Sequence, residues 1–549
     1  MPDLGIIQSE ETKASESADL DHGFDCEANH SKNASTGLRR LVPGYSIYKT
    51  LMRDYGFKFL LMISLTAHWG KGFGRAQCGQ SVRYLLQSPW AVPGPQLDIL
   101  TTVIELPWSM KPIIAIVSDM FPIFGFRKIP YILITGLLGA VGTCFAVFIS
   151  PELSSVFLPV VGLFLTNLAW MTSDILVEGQ YARRMMEKPE SGPDLVVFIG
   201  VGQQVCVFLS SLISGFVIDT LGAQWNLLFC LIPTVFTCIV TALNFFNEPR
   251  ITSQTLIAET RSHILTKQPT VVFLSIVIGV ASIMFAVTGI VTSNHYIQFG
   301  ISIGIFLSTN LISWLCLNPL VGNLIVFLAI AGITNMSLAG PAHYFYTDSP
   351  AQYPEGPHFE PWFYVTVCGI VGALGSTVGC WVFSLFKNAK YISVFFWVIL
   401  IGSIVGSINS VLFSRLNIRL GISDYAFVGS DTALASAITM LTFMPGFLLL
   451  SRVCPDKIES TTFAILASNT NFALSMASPI SALISSAFGI TPNGTVNESA
   501  KFDNLWIANL IMAGIRLVPL GFLWLLPRTT RMTDKLPPLE NIAQGSRIK

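Results

Sequence analysis

Charge is scarce in this chain: only 12% of its 549 residues are Asp, Glu, Lys or Arg, where a soluble domain carries about 25%. The scarcity is balanced, 32 basic against 32 acidic residues with no net charge, so nucleic acid finds no electrostatic footprint and is not an expected partner. Metal-ligand patterns are also missing. The 10 cysteines stand singly, several in apolar runs such as the one holding Cys230 and Cys238, with no CxxC spacing. They read as small apolar packers rather than a disulfide or zinc framework. No signal peptide opens the chain, because the first apolar stretch follows about fifty polar residues. Those include Glu10, Glu11, Glu16, Asp19, Asp21 and Glu27, an acidity that excludes an Arg-rich transit peptide and suits a disordered cytoplasmic tail. No Ser/His pair, HExxH or run of metal ligands lies in an apolar stretch, so neither enzyme chemistry nor a metal or cofactor is expected.

Apolar residues are what the chain has in excess, at 52%, with 39 Phe and 43 Gly. A soluble core cannot hide that much apolar surface, whereas a bilayer can, and small residues let helices pack closely in lipid. A helix needs about 20 apolar residues to cross the hydrocarbon, and such runs predict an all-α integral membrane protein of about 12 to 14 spans. The organisation expected is a tail over 1–55, a six-helix bundle over 56–246, a polar linker over 247–269, an extra helix pair over 270–323, a second six-helix bundle over 324–526 and a tail over 527–549. If the pair at 270–316 lies in the interface instead, the parity of spans is unchanged. Two bundles of six suggest pseudo-symmetry with a cavity between them at mid-membrane.

The basic residues orient this arrangement. With both termini cytoplasmic, the inner side collects most of the Lys and Arg, including Arg127, Lys128, Arg183, Arg184, Arg250 and Arg261, while the outer side receives Arg83, Arg415, Arg419 and Lys501. Sequons at Asn493-Gly-Thr495 and Asn497-Glu-Ser499 fall in one outer loop and are candidate glycosylation sites. Asn33-Ala-Ser35 lies in the tail placed inside and is discounted.

Ionisable groups within spans cost about 2.5–3.5 kcal/mol each on insertion scales, so Lys71, Arg75, Lys111, Arg516, Glu105, Asp174, Glu178 and Asp431 each need a reason. Glu105 and Lys111 flank Pro107-Trp108, where proline kinks the helix, and a broken helix beside two charges lines a polar cavity. The alternative is that the two neutralise facing helices and only hold the bundle. Lys71 and Arg75 near the outer end of the first span have a snorkelling alternative. His68 and His343, alone on apolar helices, are packing groups or proton carriers. Gly369, Gly372, Gly375 and Gly379 form a small-residue stripe suited to helix packing.

The loop Ser118-Asp119-Met-Phe-Pro-Ile-Phe-Gly125-Phe-Arg127-Lys128 resembles the Asp…Gly-x-Arg-Lys loop of the major facilitator superfamily, where such charges close one conformation. Four blocks together resemble the folate–biopterin transporters of that superfamily. These are Pro107-Trp108-Ser-Met-Lys111-Pro112 with the loop just quoted through Tyr131; Asp174-Ile-Leu-Val177-Glu178-Gly179 with Ala182-Arg183; His343-Tyr344-Phe345-Tyr346-Thr347; and Arg452-Val-Cys454-Pro455 through Glu459 and Thr462-Phe463-Ala464, with Asp503-Asn504-Leu505-Trp506 after it. Glu178 stands where many members have Asp. The resemblance implies a major-facilitator-like fold and a plasma-membrane carrier taking up pterins or folates by proton symport with alternating access. The family includes carriers of S-adenosylmethionine, so that solute stays open, as does a receptor that does not transport. A pterin edge presents donors that a carboxylate accepts in a bidentate way, and its flat ring suits aromatic walls. The candidate assignment is Asp174 or Glu105 for that edge, Trp108, Tyr344 and Tyr346 for the ring, and Lys111 and Arg516 for anionic groups. Glu178 and Asp119, with Arg127, Lys128 and Arg183, are assigned to gating or proton coupling.

Overall fold

The computed structural model of the chain describes residues 43–188, 190–251, 254–267, 269–386, 388–453 and 459–532. The chain divides into two units, Met1–Asp54 and Tyr55–Lys549. The described end of the first is the start of an amphipathic helix, Pro43–Tyr55. Among the described residues the second unit consists of helices joined by loops, with isolated bridges between Ile123 and Phe126 and between Lys390 and Arg531.

Of its described helices, 11 are long and apolar enough to cross a membrane. Both members of the pair expected at 270–316 are among them, as Pro269–Val291 and His295–Cys316. Local chemistry starts several of the helices. Asn294 and Asn318 cap theirs by accepting backbone N–H groups, and proline occupies the first turn of others, as Pro95 and Pro130 do, where its missing N–H costs nothing. The exposed residues explain why water is the wrong solvent. Val196, Val201, Val205, Phe208, Leu212 and Phe216 all lie exposed on the Gly192–Thr220 helix, an apolar stripe suited to lipid.

Close packing depends on small residues. Gly142 and Gly162 meet face to face, and a Cβ on either would strike the other's carbonyl. Beside them the Thr143 and Thr166 hydroxyls pair at 2.9 Å. The glycine stripe works the same way: Gly375 and Gly379 rest on the backbone of Ala433 and Ala437, while Gly369 abuts Ser211.

Several of the described helices are broken rather than straight, among them the following three. A π-helical turn, Ser64–Gly74, separates Phe57–Ile63 from Arg75–Gln87. A 3-10 turn at Leu106–Ser109 separates Gly94–Glu105 from Lys111–Met120, with Pro107 inside it. A second π-helical turn, Trp362–Val367, opens the helix Cys368–Leu385. The first two breaks both pack against the Phe157–Glu187 helix, which places polar side chains from three segments together.

At the end of the molecule reached by Gln87 and Gly94, the early and late helices are stitched by backbone and side-chain hydrogen bonds. Gly94 N–H donates to the Pro492 carbonyl at 2.8 Å, the Tyr344 hydroxyl donates to the Val92 carbonyl at 2.6 Å, and the Gln87 amide donates to Thr347 and Asp348 at 3.2 Å each.

The glycine contact yields a stability test. Gly142→Val forces the Ile129–Phe148 and Phe157–Glu187 helices apart, a strain of about 1–3 kcal/mol. Thermal unfolding of the purified protein in detergent should show a clearly lowered midpoint, and an unchanged midpoint would contradict the close approach.

Candidate functional site

Asp174 and Glu178 stand one turn apart on the Phe157–Glu187 helix, so both carboxylates share a face. Asp174 Oδ2 receives the Lys111 ammonium at 2.7 Å and the Lys71 ammonium at 3.2 Å. Lys111 also reaches Glu178 Oε2 at 3.4 Å. On the neighbouring segments Arg75 pairs with Glu105 at 3.2 Å. Lys71, Arg75 and Lys111 are thus opposed by Asp174, Glu178 and Glu105, so the network is neutral as a whole.

Its centre is an aromatic ring. Lys71, Arg75 and Lys111 lie 5.8, 4.6 and 5.4 Å from the Trp108 ring, within cation–π range. The indole is fixed from behind, its Nε1–H donating to Asn167 Oδ1 at 3.1 Å. Exposure grades across the network. The Asp174 and Lys111 side chains are 5% and 13% exposed, whereas Arg75 and Glu105 are 38% and 45% exposed. The first pair is dry and costly to break, the second wet and worth about 1 kcal/mol or less. Lys71 and Arg75 do not snorkel outward; the π-helical turn carries them inward onto Asp174, Glu105 and Trp108.

Other candidates lie elsewhere. Arg516 donates to the carbonyls of Gly402 and Met336 at 3.1 and 3.2 Å, and none of the ion pairs among the described residues includes it. It ties the last helix to backbone. Tyr344 spends its hydroxyl on Val92, and Tyr346 packs among Phe345, Phe359, Tyr364 and Phe413. Among the described side chains, Arg183 makes an exposed pair with Glu187 at 3.3 Å. The side chains of the block from Arg452 to Ala464, and Asn33, lie outside the described residues.

The inner loop contains a residue that the sequence reading passed over. Glu248 accepts the backbone N–H groups of Arg127, Lys128 and Ile129 at 2.8, 3.1 and 3.2 Å, anchoring a carboxylate at a helix N-terminus where it is favoured. Asp119 faces the charges of Lys128 and Arg127, and the Lys128 ammonium crosses Gly179 to the Leu176 carbonyl at 3.3 Å. The signal for Glu248 was its place at a chain reversal: Asn244 brackets it, accepting its N–H and donating to its carbonyl at 2.9 and 3.1 Å.

The outer loop holds a second acidic centre. Glu498, 3% exposed, accepts the N–H groups of Asn493 and Gly494 and the Lys501 ammonium. Asp348 Oδ1 accepts from Gln87, but its buried Oδ2 has no donor. A proton shared with Glu498 supplies one. Burial first, and then that hydrogen bond, push Asp348 up to about 8. Burial raises Glu498 too, but the Asn493 N–H and Lys501 outweigh it and hold Glu498 below the usual range. Asn493 is engaged by Lys501 at 2.6 Å, while Asn497 is exposed at φ 63°.

Two tests follow from these arrangements. Asp174→Asn strands two ammonium groups and should cost about 3–5 kcal/mol, seen as lost protein in the membrane; adding Lys71→Gln restores neutrality and should recover most of it. Failure of the pair to recover would show that the charges are not coupled. At the outer loop, a folded-state pKa raised above the unfolded value stabilises at low pH and is lost as pH rises through about 8. Hydrogen-exchange protection over 348–358 and 493–501 should therefore decline as pH rises from about 4 to about 8 and level off above it. Asp348→Asn should abolish that dependence.

The family model described as the BT1 family matches residues 71–544. The chain is 23% identical over 514 residues to "probable folate-biopterin transporter 2" of Arabidopsis thaliana, covering 91% of each chain. It is 23% identical over 450 residues to "folate-biopterin transporter" of a Synechocystis species, covering 81% of this chain and 78% of the relative. Among solved structures, an auto-inhibited POT-family peptide transporter aligns with a TM-score of 0.58 at 13% identity, covering 88% of this chain and 99% of that one, a likeness of fold of the major-facilitator type. With the match running through the broken helices and the charge network, the chain belongs to the BT1 family and is a transporter, not an enzyme.

Proposed function

We propose that this protein carries a pterin or folate across the membrane, reading the ring at Trp108 and the carboxylates beside it. The observation that carries the reading is the Lys71–Asp174–Lys111 bridge laid against the Trp108 ring. An amino-pyrimidinone edge offers adjacent N–H donors that a carboxylate accepts pairwise, and the ring stacks on an indole face already electron-rich enough to hold cations. Glu105, the most exposed carboxylate of the network, is the first such acceptor a solute meets. Asp174 follows when the solute displaces one of its two ammonium partners. The names of the relatives support pterins and folates as the solute class.

Alternating access is the motion this reading requires. The stitch at Gly94–Pro492 and Tyr344–Val92 closes one side, and the Glu248 clamp with the Asp119, Arg127 and Lys128 charges gathers at the other. Such paired latches bias a two-state equilibrium by their differential contacts. Proton symport belongs to the same proposal. A proton on Glu105 or Glu178 frees its cation to bind solute, and its release inside resets the pair. The protein sits in the plasma membrane with both termini inside and Asn497 outside, the better placed of the two sequons.

Uptake of radiolabelled biopterin, folate and S-adenosylmethionine in a host lacking such carriers tests the reading. Biopterin or folate should accumulate, faster at external pH of about 6 than about 8, and a protonophore should abolish the gradient. Uptake of S-adenosylmethionine alone would overturn the solute class, and accumulation insensitive to both pH and protonophore would overturn symport. An Asn497→Gln variant should lose the glycan shift on a gel, and a shift that persists until Asn493→Gln would reassign the acceptor.

A further inference from the structure

Away from the Trp108 network, polar groups with no partners gather where the early and late helices meet near the stitched end. His343 is fully buried, at 0% exposure, and neither of its ring nitrogens has a hydrogen-bond partner. Its ring is walled by Tyr84 at 4.6 Å, edge to face, and by Tyr364 at 5.9 Å. The buried hydroxyls of Tyr84 and Thr101 and the buried Nε of Arg83 also lack partners. Arg83 takes part in none of the ion pairs among the described residues, yet its charge reaches Asp98, His343 and Tyr364. Asp98 does not close onto it, because the Asp98 carboxyl is occupied by the Gly340 N–H.

A fully buried imidazole with two idle nitrogens is an expensive arrangement, since buried polar groups are otherwise paired. Donors without acceptors on His343, Tyr84 and Arg83, the last of them cationic, describe a site short of an anion. The other cations that sequence reading assigned to anionic groups are already engaged, Lys111 by two carboxylates and Arg516 by two carbonyls. We propose that Arg83 and His343, helped by the Tyr84 hydroxyl, form a carboxylate-recognition subsite for the tail of the solute on the stitched side of the path. The subsite rests on the transport reading above and deepens it: the ring is read at Trp108 and the acidic tail at Arg83. In the closed arrangement the Tyr84–His343 contact fills the space, and parting of the Gly94–Pro492 and Tyr344–Val92 contacts opens it. Asp98 then sets a threshold, because a solute carboxylate must compete with its charge for the guanidinium.

Folate carries two tail carboxylates and biopterin none, so the pair of solutes isolates the subsite. In the full-length protein Arg83→Gln should lower the ratio of folate to biopterin kcat/KM by about tenfold to a hundredfold, the loss of a charge-assisted contact. In parallel, p-aminobenzoylglutamate, the tail half of folate alone, should bind the purified wild-type protein and lose affinity by a similar factor in Arg83→Gln. If the wild type takes up neither folate nor biopterin, the transport reading fails, while binding of the tail half still decides the subsite. An unchanged uptake ratio, or tail binding that is absent from the wild type or equal in both proteins, overturns the proposal. Should Arg83→Gln alone not reach the membrane, the charge-balanced Arg83→Gln, Asp98→Asn pair carries the same comparison.

Discussion

A single buried carboxylate organises the interior of this carrier. Asp174 takes two ammonium groups on one oxygen, from Lys71 on a π-helical turn and Lys111 just past a 3-10 turn. Neither lysine is tolerable in hydrocarbon alone, and each stands in or just past a break in its helix, so irregular backbone and ion pairs meet at Asp174. Trp108, set between three cations and anchored to Asn167, converts that cluster into a flat, polarised wall.

From that centre the two ends of the molecule are built differently. One end is joined by hydrogen bonds from the Gly94 backbone and the Tyr344 and Gln87 side chains, and by glycines that let chains touch, as at Gly94 against Pro341. The other is held by Glu248 capping a helix and by Arg261 reaching the Met120 carbonyl at 3.4 Å. Contacts of the first kind depend on close fit and those of the second on charge, so the two ends respond to different influences. Separate sensitivities of this sort suit a protein whose faces open in turn.

The fold was readable because bilayer thickness writes itself into sequence as apolar runs, and 11 of the described helices are long and apolar enough to cross, although the apolar run holding Pro319–Ile333 and Ala339–Thr347 is split by a non-helical stretch. The break at Pro107 was readable for the same local reason. Partnerships were not. Lys71 and Asp174 sit far apart in the chain, and only the rotation imposed by a π-helical turn decides whether Lys71 faces lipid headgroups or the interior. Arg516 looked like an anion site because its carbonyl partners, Gly402 and Met336, carry no side-chain signature. Glu248 looked like linker polarity until three N–H groups converged on it, and Arg83 was assigned only to the outer side although its charge reaches His343.

In the function proposed above, the solute's ring binds at the Asp174 network, seated on Trp108. Electron cryomicroscopy of the full-length protein saturated with biopterin tests it most directly. The account predicts ring density against the Trp108 face, with the amino-pyrimidinone edge within hydrogen-bond distance of Asp174, Glu178 or Glu105 and at least one lysine bond to Asp174 lengthened. Biopterin density elsewhere in the protein, with the Lys71–Asp174–Lys111 bridge intact, would contradict it.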